Sequence, residues 1–104
     1  MNEKRREEID RANQHVQRAQ NANMIIDNPL YKDAIAKIQA DLINSFRSTD
    51  CMDKELREEL HRQMKTVMWF ENHFEKVLKT GKAAQEKLSL WQQLTKNKNN
   101  LEGL

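Results

Sequence analysis

An apolar ladder at helical spacing runs through the second half of the chain. It reads Leu56, Leu60, Met64, Val67, Phe70, Phe74, Val77, Gly81, Ala84, Leu88 and Trp91. Steps of three and four residues keep one stripe in phase, including across Gly81. Such a pattern is an amphipathic helix that must lay its apolar face on other helices. Helix formers fill the rest of the sequence, and two Gly and one Pro leave few turns for a β protein. The fold class expected is all-α.

Two punctuation points divide the ladder from what precedes it. Asp27-Asn28-Pro29 breaks the chain. Asn28 is placed to cap a helix whose first residue is Pro29, where a missing N–H costs nothing. That second helix is expected over about 29–47, burying Tyr31, Ala34, Ile35, Ile38, Leu42 and Phe46. Lys32, Asp33, Lys37, Gln39 and Asp41 are assigned to water. Ser48-Thr49-Asp50 ends it, with Asp50 as N-cap of a third helix over 51–80 and Asp53 near its positive end. Gly81 is either a stop or an interior glycine costing about 1 kcal/mol relative to Ala. The unbroken phase favours a continuous helix or a mild kink, with the continuation over 82–95. Residues 96–104, rich in Asn, are expected to fray.

Ahead of Pro29, Ile9, Ala12, Val16, Ala19, Asn23 and Ile26 make a weak seam on a first helix over about 2–26. Asn23 is either a register-setting polar member or a solvated amide, the second being favoured. A short connection between the second and third helices implies antiparallel neighbours. The architecture expected is an antiparallel helical hairpin with an added N-terminal helix, one domain over 1–95.

With 38% hydrophobic and 33% charged residues, 104 residues build a thin core. Cys51 stands alone, so no internal disulfide reinforces it. Assembly into a helical homo-oligomer is the expected remedy, with Leu60, Met64, Val67, Phe70, Phe74 and Val77 as the interface. Trp69 and Phe70 are adjacent and cannot share a helix face, which implies burial on two sides. No stretch approaches the apolar length of a membrane span. The opening Met-Asn-Glu-Lys-Arg-Arg has no apolar run behind it, which argues against a secretory leader.

Charge is uneven. Residues 76–104 carry six lysines against two glutamates, a net +4, which leaves −2 on the rest. Lys76, Lys79, Lys82 and Lys87 are therefore candidates to meet phosphate of nucleic acid or an acidic partner, against the plainer reading of a solvated face. No constellation supports catalysis. Glu58 and His61 have the i, i+3 spacing of carboxylate-bridged metal sites, but no second copy exists. His15, His61 and His73 are scattered, and Cys51 has no neighbouring base. Thr80-Gly81-Lys82 lacks the glycine-rich approach of a phosphate loop. No enzyme activity, cofactor or metal is expected.

Part of the chain has a familiar pattern. An Asn/Asp-Pro-Leu-aromatic start appears as Asp27-Asn28-Pro29-Leu30-Tyr31, and a helix then ends in Phe46. An acidic loop follows, with Arg57-Glu58-Glu59-Leu60-His61. The closing stretch is Val77-Leu78-Lys79-Thr80-Gly81-Lys82-Ala83-Ala84. Over about 60 residues this resembles a group of small, mostly unassigned helical proteins of tailed bacteriophages and prophages, which often carry Trp where this chain has His61. The resemblance implies a viral protein of the host cytoplasm or the virion. It also implies either of two roles. One is assembly or DNA packaging, with other virion proteins or DNA as partners. The other is counter-defence, by binding a host defence protein or holding a cyclic nucleotide between subunits.

Overall fold

A computed structural model describes residues 3–102. It contains three helices, α1 (Glu3–Ile26), α2 (Pro29–Ser48) and α3 (Lys54–Glu102), and no strand among the described residues. No described helix is long and apolar enough to cross a membrane.

The breaks follow local chemistry. Asn28 adopts extended backbone, and its side-chain oxygen accepts a hydrogen bond from the Leu30 N–H at 2.8 Å, with Pro29 opening α2. At the far end, the Thr49 N–H and hydroxyl both donate to the Phe46 carbonyl, at 3.3 and 2.7 Å. The start of α3 differs from the expected Cys51. Asp50 accepts from the Met52 N–H at 2.9 Å and closes a turn, and Asp53 accepts from the Leu56 N–H at 3.2 Å. Asp53 is thus the cap, and the helix opens three residues late.

The third helix is continuous through Gly81, which does not have positive φ. It also passes Thr95, where a frayed tail was expected. No Gly or Pro interrupts the sequence before Gly103, and Thr95 and Lys96 line a groove with Ile9 and Trp91. The expected frayed tail is therefore helical up to Glu102. Residues 103 and 104 at its end, like residue 2 at the expected start of the first helix, lie outside the described residues.

Packing falls into two units: Met24–Glu75, and Met1–Asn23 with Lys76–Leu104. The ladder on α3 serves a different neighbour in each.

In the first unit, α2 packs on the opening half of α3. Leu60 is its one buried apolar side chain among the described residues, at 7% exposure. Tyr31, Ile35, Gln39, Leu42 and Phe46 are half-buried on α2, whereas Ala34 and Ile38 are exposed. The apolar arc of α2 is wider than one partner helix covers, so two of its expected core positions remain outside. Gln39, assigned to water, instead donates to the Glu71 carboxylate.

In the second unit, α1 packs on the closing half of α3 through small residues. Ala12, Ala22, Gly81 and Ala84 are buried there. A Cβ added to Gly81 would fall inside the Ala19 methyl and lie 3.1 Å from the His15 carbonyl oxygen. Gly81 is thus not a stop; it is an interior glycine at which α1 packs too closely to admit a side chain. Asn23 is exposed, as a solvated amide.

Candidate interaction surface

The chemistry-bearing side chains of the Met24–Glu75 unit gather around an aromatic cluster. Tyr31 near the start of α2 meets two rings on α3: Phe74 edge-on at 5.8 Å between centroids, and Phe70 tilted at 6.3 Å. Phe70 and Phe74 are themselves edge-to-face at 5.2 Å. These are the offset geometries that aromatic quadrupoles favour. Glu71 lies between the two phenylalanines in sequence, so its carboxylate is carried toward α2, where Gln39 meets it. Tyr31, Ile35, Gln39, Glu71 and Phe74 help line a groove of about 300 Å³ beside this cluster.

The other end of the unit is held by Arg57. Its guanidinium sits 4.1 Å over the Phe46 ring and donates to Thr49 Oγ1 at 3.0 Å. A cation on an aromatic face with a fixed hydrogen bond is worth more than an exposed ion pair. Sequence reasoning assigned Arg57 no such role. Phe46 ending α2 and an Arg in the first turn of α3 were the signal for it.

Tyr31 has a perturbed phenol. Burial, and then the nearby Glu71 carboxylate, push its pKa above the ordinary value. A folded-state value above the unfolded one stabilises the fold fully below the unfolded pKa, and that contribution is lost as pH rises through the folded value. Tyr31 is the only tyrosine in the chain, so phenolate absorbance reports it directly. The expected result is an alkaline midpoint above that of free phenol in the wild type, lowered in Glu71→Gln. An ordinary midpoint in the wild type would remove Tyr31 from its half-buried place against Glu71.

The expected interface residues divide by environment. Leu60 is covered by its own chain and has little surface left for a second copy. Met64, Val67 and Phe74 are half-buried in the same unit, and Val77 is half-buried in the other. Phe70 remains 42% exposed. Trp69 is 68% exposed and stacks on His73, with the ring planes 22° apart at 6.1 Å. The two adjacent rings thus have different surroundings, and both are exposed within this chain.

Two short ion pairs sit on the surface of this unit. Lys37 Nζ lies 3.4 Å from the Asp41 carboxylate, and the Arg62 guanidinium 2.8 Å from Glu59. Hydrogen bonds from Gln63 and Arg62 hold the Glu59 carboxyl below its usual range. Glu58 and His61, the spaced metal-like pair, line an open groove with Phe46, Arg57 and Arg62. Two guanidiniums beside that pair disfavour a cation. Among the described residues no three metal-ligating side chains gather.

The lysines belong to the second unit. Lys76, Lys79, Lys82 and Lys87 are all exposed. Lys87 is placed with its ammonium 4.9 Å over the Trp91 ring. It also lines a groove with Arg11, His15 and Thr80 over a floor of Ala12, Ala83 and Ala84. Arg11 and His15 were not singled out with the lysines, because nothing in linear order joins residues 11 and 87. No family model matches this chain, and neither a curated protein nor a solved structure matches it.

Proposed function

We propose that this chain is a non-enzymatic phage protein acting by helix-mediated self-association in virion assembly or DNA packaging. The carrying observation is the thin core of the Met24–Glu75 unit. One pair of helices buries only Leu60 there among the described residues, while Met68, Trp69 and Phe70 stay exposed. A single helix pair has one interface, and each helix keeps an uncovered face. Chains of this kind gain stability by association. The pairings Tyr31 with Phe74 and Phe46 with Arg57 support an antiparallel hairpin of α2 and the first half of α3.

The phage assignment leans on the sequence resemblance, and the exposed lysines of α3 suit contact with DNA or an acidic virion protein. The host cytoplasm or the virion is the corresponding location.

Sedimentation equilibrium of the full chain tests self-association. The expected mass is a multiple of 12.4 kDa, with an unfolding midpoint that falls on dilution. A mass of one chain and a midpoint independent of concentration would overturn the proposal.

A further inference from the structure

The packing units divide the charge more sharply than linear order does. Met1–Asn23 with Lys76–Leu104 carries eleven Lys and Arg against six Asp and Glu, a net +5, whereas Met24–Glu75 carries seven against ten, a net −3. Within the basic unit, Arg11 and His15 on α1 and Thr80 and Lys87 on α3 line a groove of about 360 Å³. The helical repeat extends this edge. Lys4 stands seven residues before Arg11 and Arg18 seven after it, and Lys76 stands seven before Ala83 in the groove floor. Two carboxylates share the edge: Glu8, which lines the groove, and Glu7, four residues before Arg11. Glu3 and Asp10 each precede one of these cations and so lie about 100° round α1, on its outer face. Over 3–18 and 76–94 the edge therefore holds five cations against two carboxylates.

The other two lysines named from sequence stand elsewhere. Lys79 and Lys82 fall on the outer and opposite faces of α3. Glu86 stands with them, seven residues after Lys79 and four after Lys82, and offsets their charge. The groove has no such balance. Among the described residues Arg11, Arg18 and Lys76 make no ion pair, and the Thr80 hydroxyl makes no hydrogen bond. The Thr66 hydroxyl, by contrast, donates to the Arg62 carbonyl at 3.0 Å. Ala12, Ala83 and Ala84 make a low floor that holds no bulky ligand strand away from these groups.

We infer that this α1–α3 edge is a binding track for the phosphate backbone of duplex DNA. The inference rests on the DNA-contact reading and replaces Lys79 and Lys82 with Arg11 and Arg18 as its residues. Lys4, Arg11 and Arg18 repeat at about 10.5 Å along α1, close to three base-pair steps of about 3.4 Å. A regular ladder of cations suits a regular polyanion, whereas an acidic protein surface has no fixed repeat. Guanidinium forks and ammonium groups both bind phosphate oxygens, and Thr80 and His15 add a hydroxyl and a ring N–H as donors. A single strand needs rings on which its unpaired bases stack. The nearest ring, Trp91, lines a different groove and carries the Lys87 ammonium over its face. Contact is thus to backbone and independent of sequence.

The test uses the full chain and a short labelled DNA duplex of arbitrary sequence, with binding read by fluorescence anisotropy over a range of salt. The logarithm of the affinity is expected to fall linearly with that of the salt concentration. Arg11→Gln with Lys87→Gln is expected to reduce the salt slope by about 2, and Arg18→Gln with Lys76→Gln to do the same. Lys79→Gln with Lys82→Gln removes equal charge and is expected to leave the slope near that of the wild type. All six positions but His15 and Thr80 are altered to a good helix former at exposed sites, so ellipticity is expected to stay at the wild-type value. Equal losses from the Lys79 and Lys82 pair overturn the location of the track while leaving DNA contact standing. A single strand or polyglutamate held as tightly as the duplex at the same salt overturns its ligand. A wild type that does not bind the duplex removes both the track and the DNA-contact reading, and self-association is then judged by sedimentation alone.

Discussion

Gly81→Ala is expected to lower the thermal unfolding midpoint, the reverse of the usual result for a glycine inside a helix. In an uncrowded helix this exchange stabilises by about 1 kcal/mol. Here the new methyl would land on the Ala19 methyl, with the His15 carbonyl oxygen 3.1 Å away. Neither is the free end of a long side chain, so α1 must shift away from α3. Overpacking of that kind costs about 1–3 kcal/mol, and the severity of this overlap puts it at the upper end. The net loss is then about 1–2 kcal/mol, at about 4–8 °C per kcal/mol for a domain of this size. Protein concentration must be held fixed in the comparison, since association shifts the midpoint too. Removing the opposing methyl supplies the control. Ala19→Gly is expected to cost stability alone but to recover part of the loss in the Gly81→Ala background, a coupling that independent sites do not show. A raised midpoint in Gly81→Ala would mean that the helices are not in close approach there.

That glycine shows how far the sequence could be read. The phase of the ladder carries across it, and the phase alone indicated a continuous helix. What linear order hides is the reason for a glycine, because the reason is Ala19 on another helix, 62 positions earlier. The same limit applies to the two units. Leu60, Val67, Phe74, Gly81 and Leu88 recur at seven-residue steps, and this line reads as one seam. Yet its companions change along the chain, from Met64 and Glu71 to Ala84 and Trp91. α2 meets the large side chains and α1 the small ones. Hydrophobicity scales rank Ala and Gly low, so α1 looked marginal, although its Ala12 and Ala22 are among the most buried residues described. Caps were legible where a side chain acts on its own backbone. Asn28 before Pro29 was such a case, whereas Asp50 and Asp53 competed for one role and only geometry chose between them. Of the candidate site, the aromatic members Phe70 and Phe74 were visible from periodicity. Gln39 was misassigned because a polar residue on an amphipathic helix defaults to water, and its partner Glu71 lies 32 residues away.

Phe74→Asp is expected to abolish both the α2–α3 pairing and the assembly built on it. Phe74 is half-buried and meets three rings: Tyr31 at 5.8 Å, Phe70 at 5.2 Å and His73 at 6.1 Å. Deleting such a ring costs about 3 kcal/mol, the lower end of the range for core aromatics because Phe74 is only partly buried. The new carboxylate must also lose water, at about 1–3 kcal/mol when no partner is supplied. It would stand three residues after Glu71, so the nearest charge on its own helix face repels it. Against this, a unit of about 50 residues holds on the order of 5 kcal/mol of stability. The losses are comparable to the whole, so the pairing fails and is not merely weakened. Far-UV ellipticity is expected to fall, and sedimentation to give single, partly unfolded chains. Trp69→Asp introduces the same charge on the same helix at a side chain 68% exposed, and it is expected to leave ellipticity near that of the wild type. A Phe74→Asp variant with wild-type ellipticity and sedimentation would show that the aromatic cluster holds neither the unit nor the oligomer together. The self-association proposal would then lose the packed platform on which it rests.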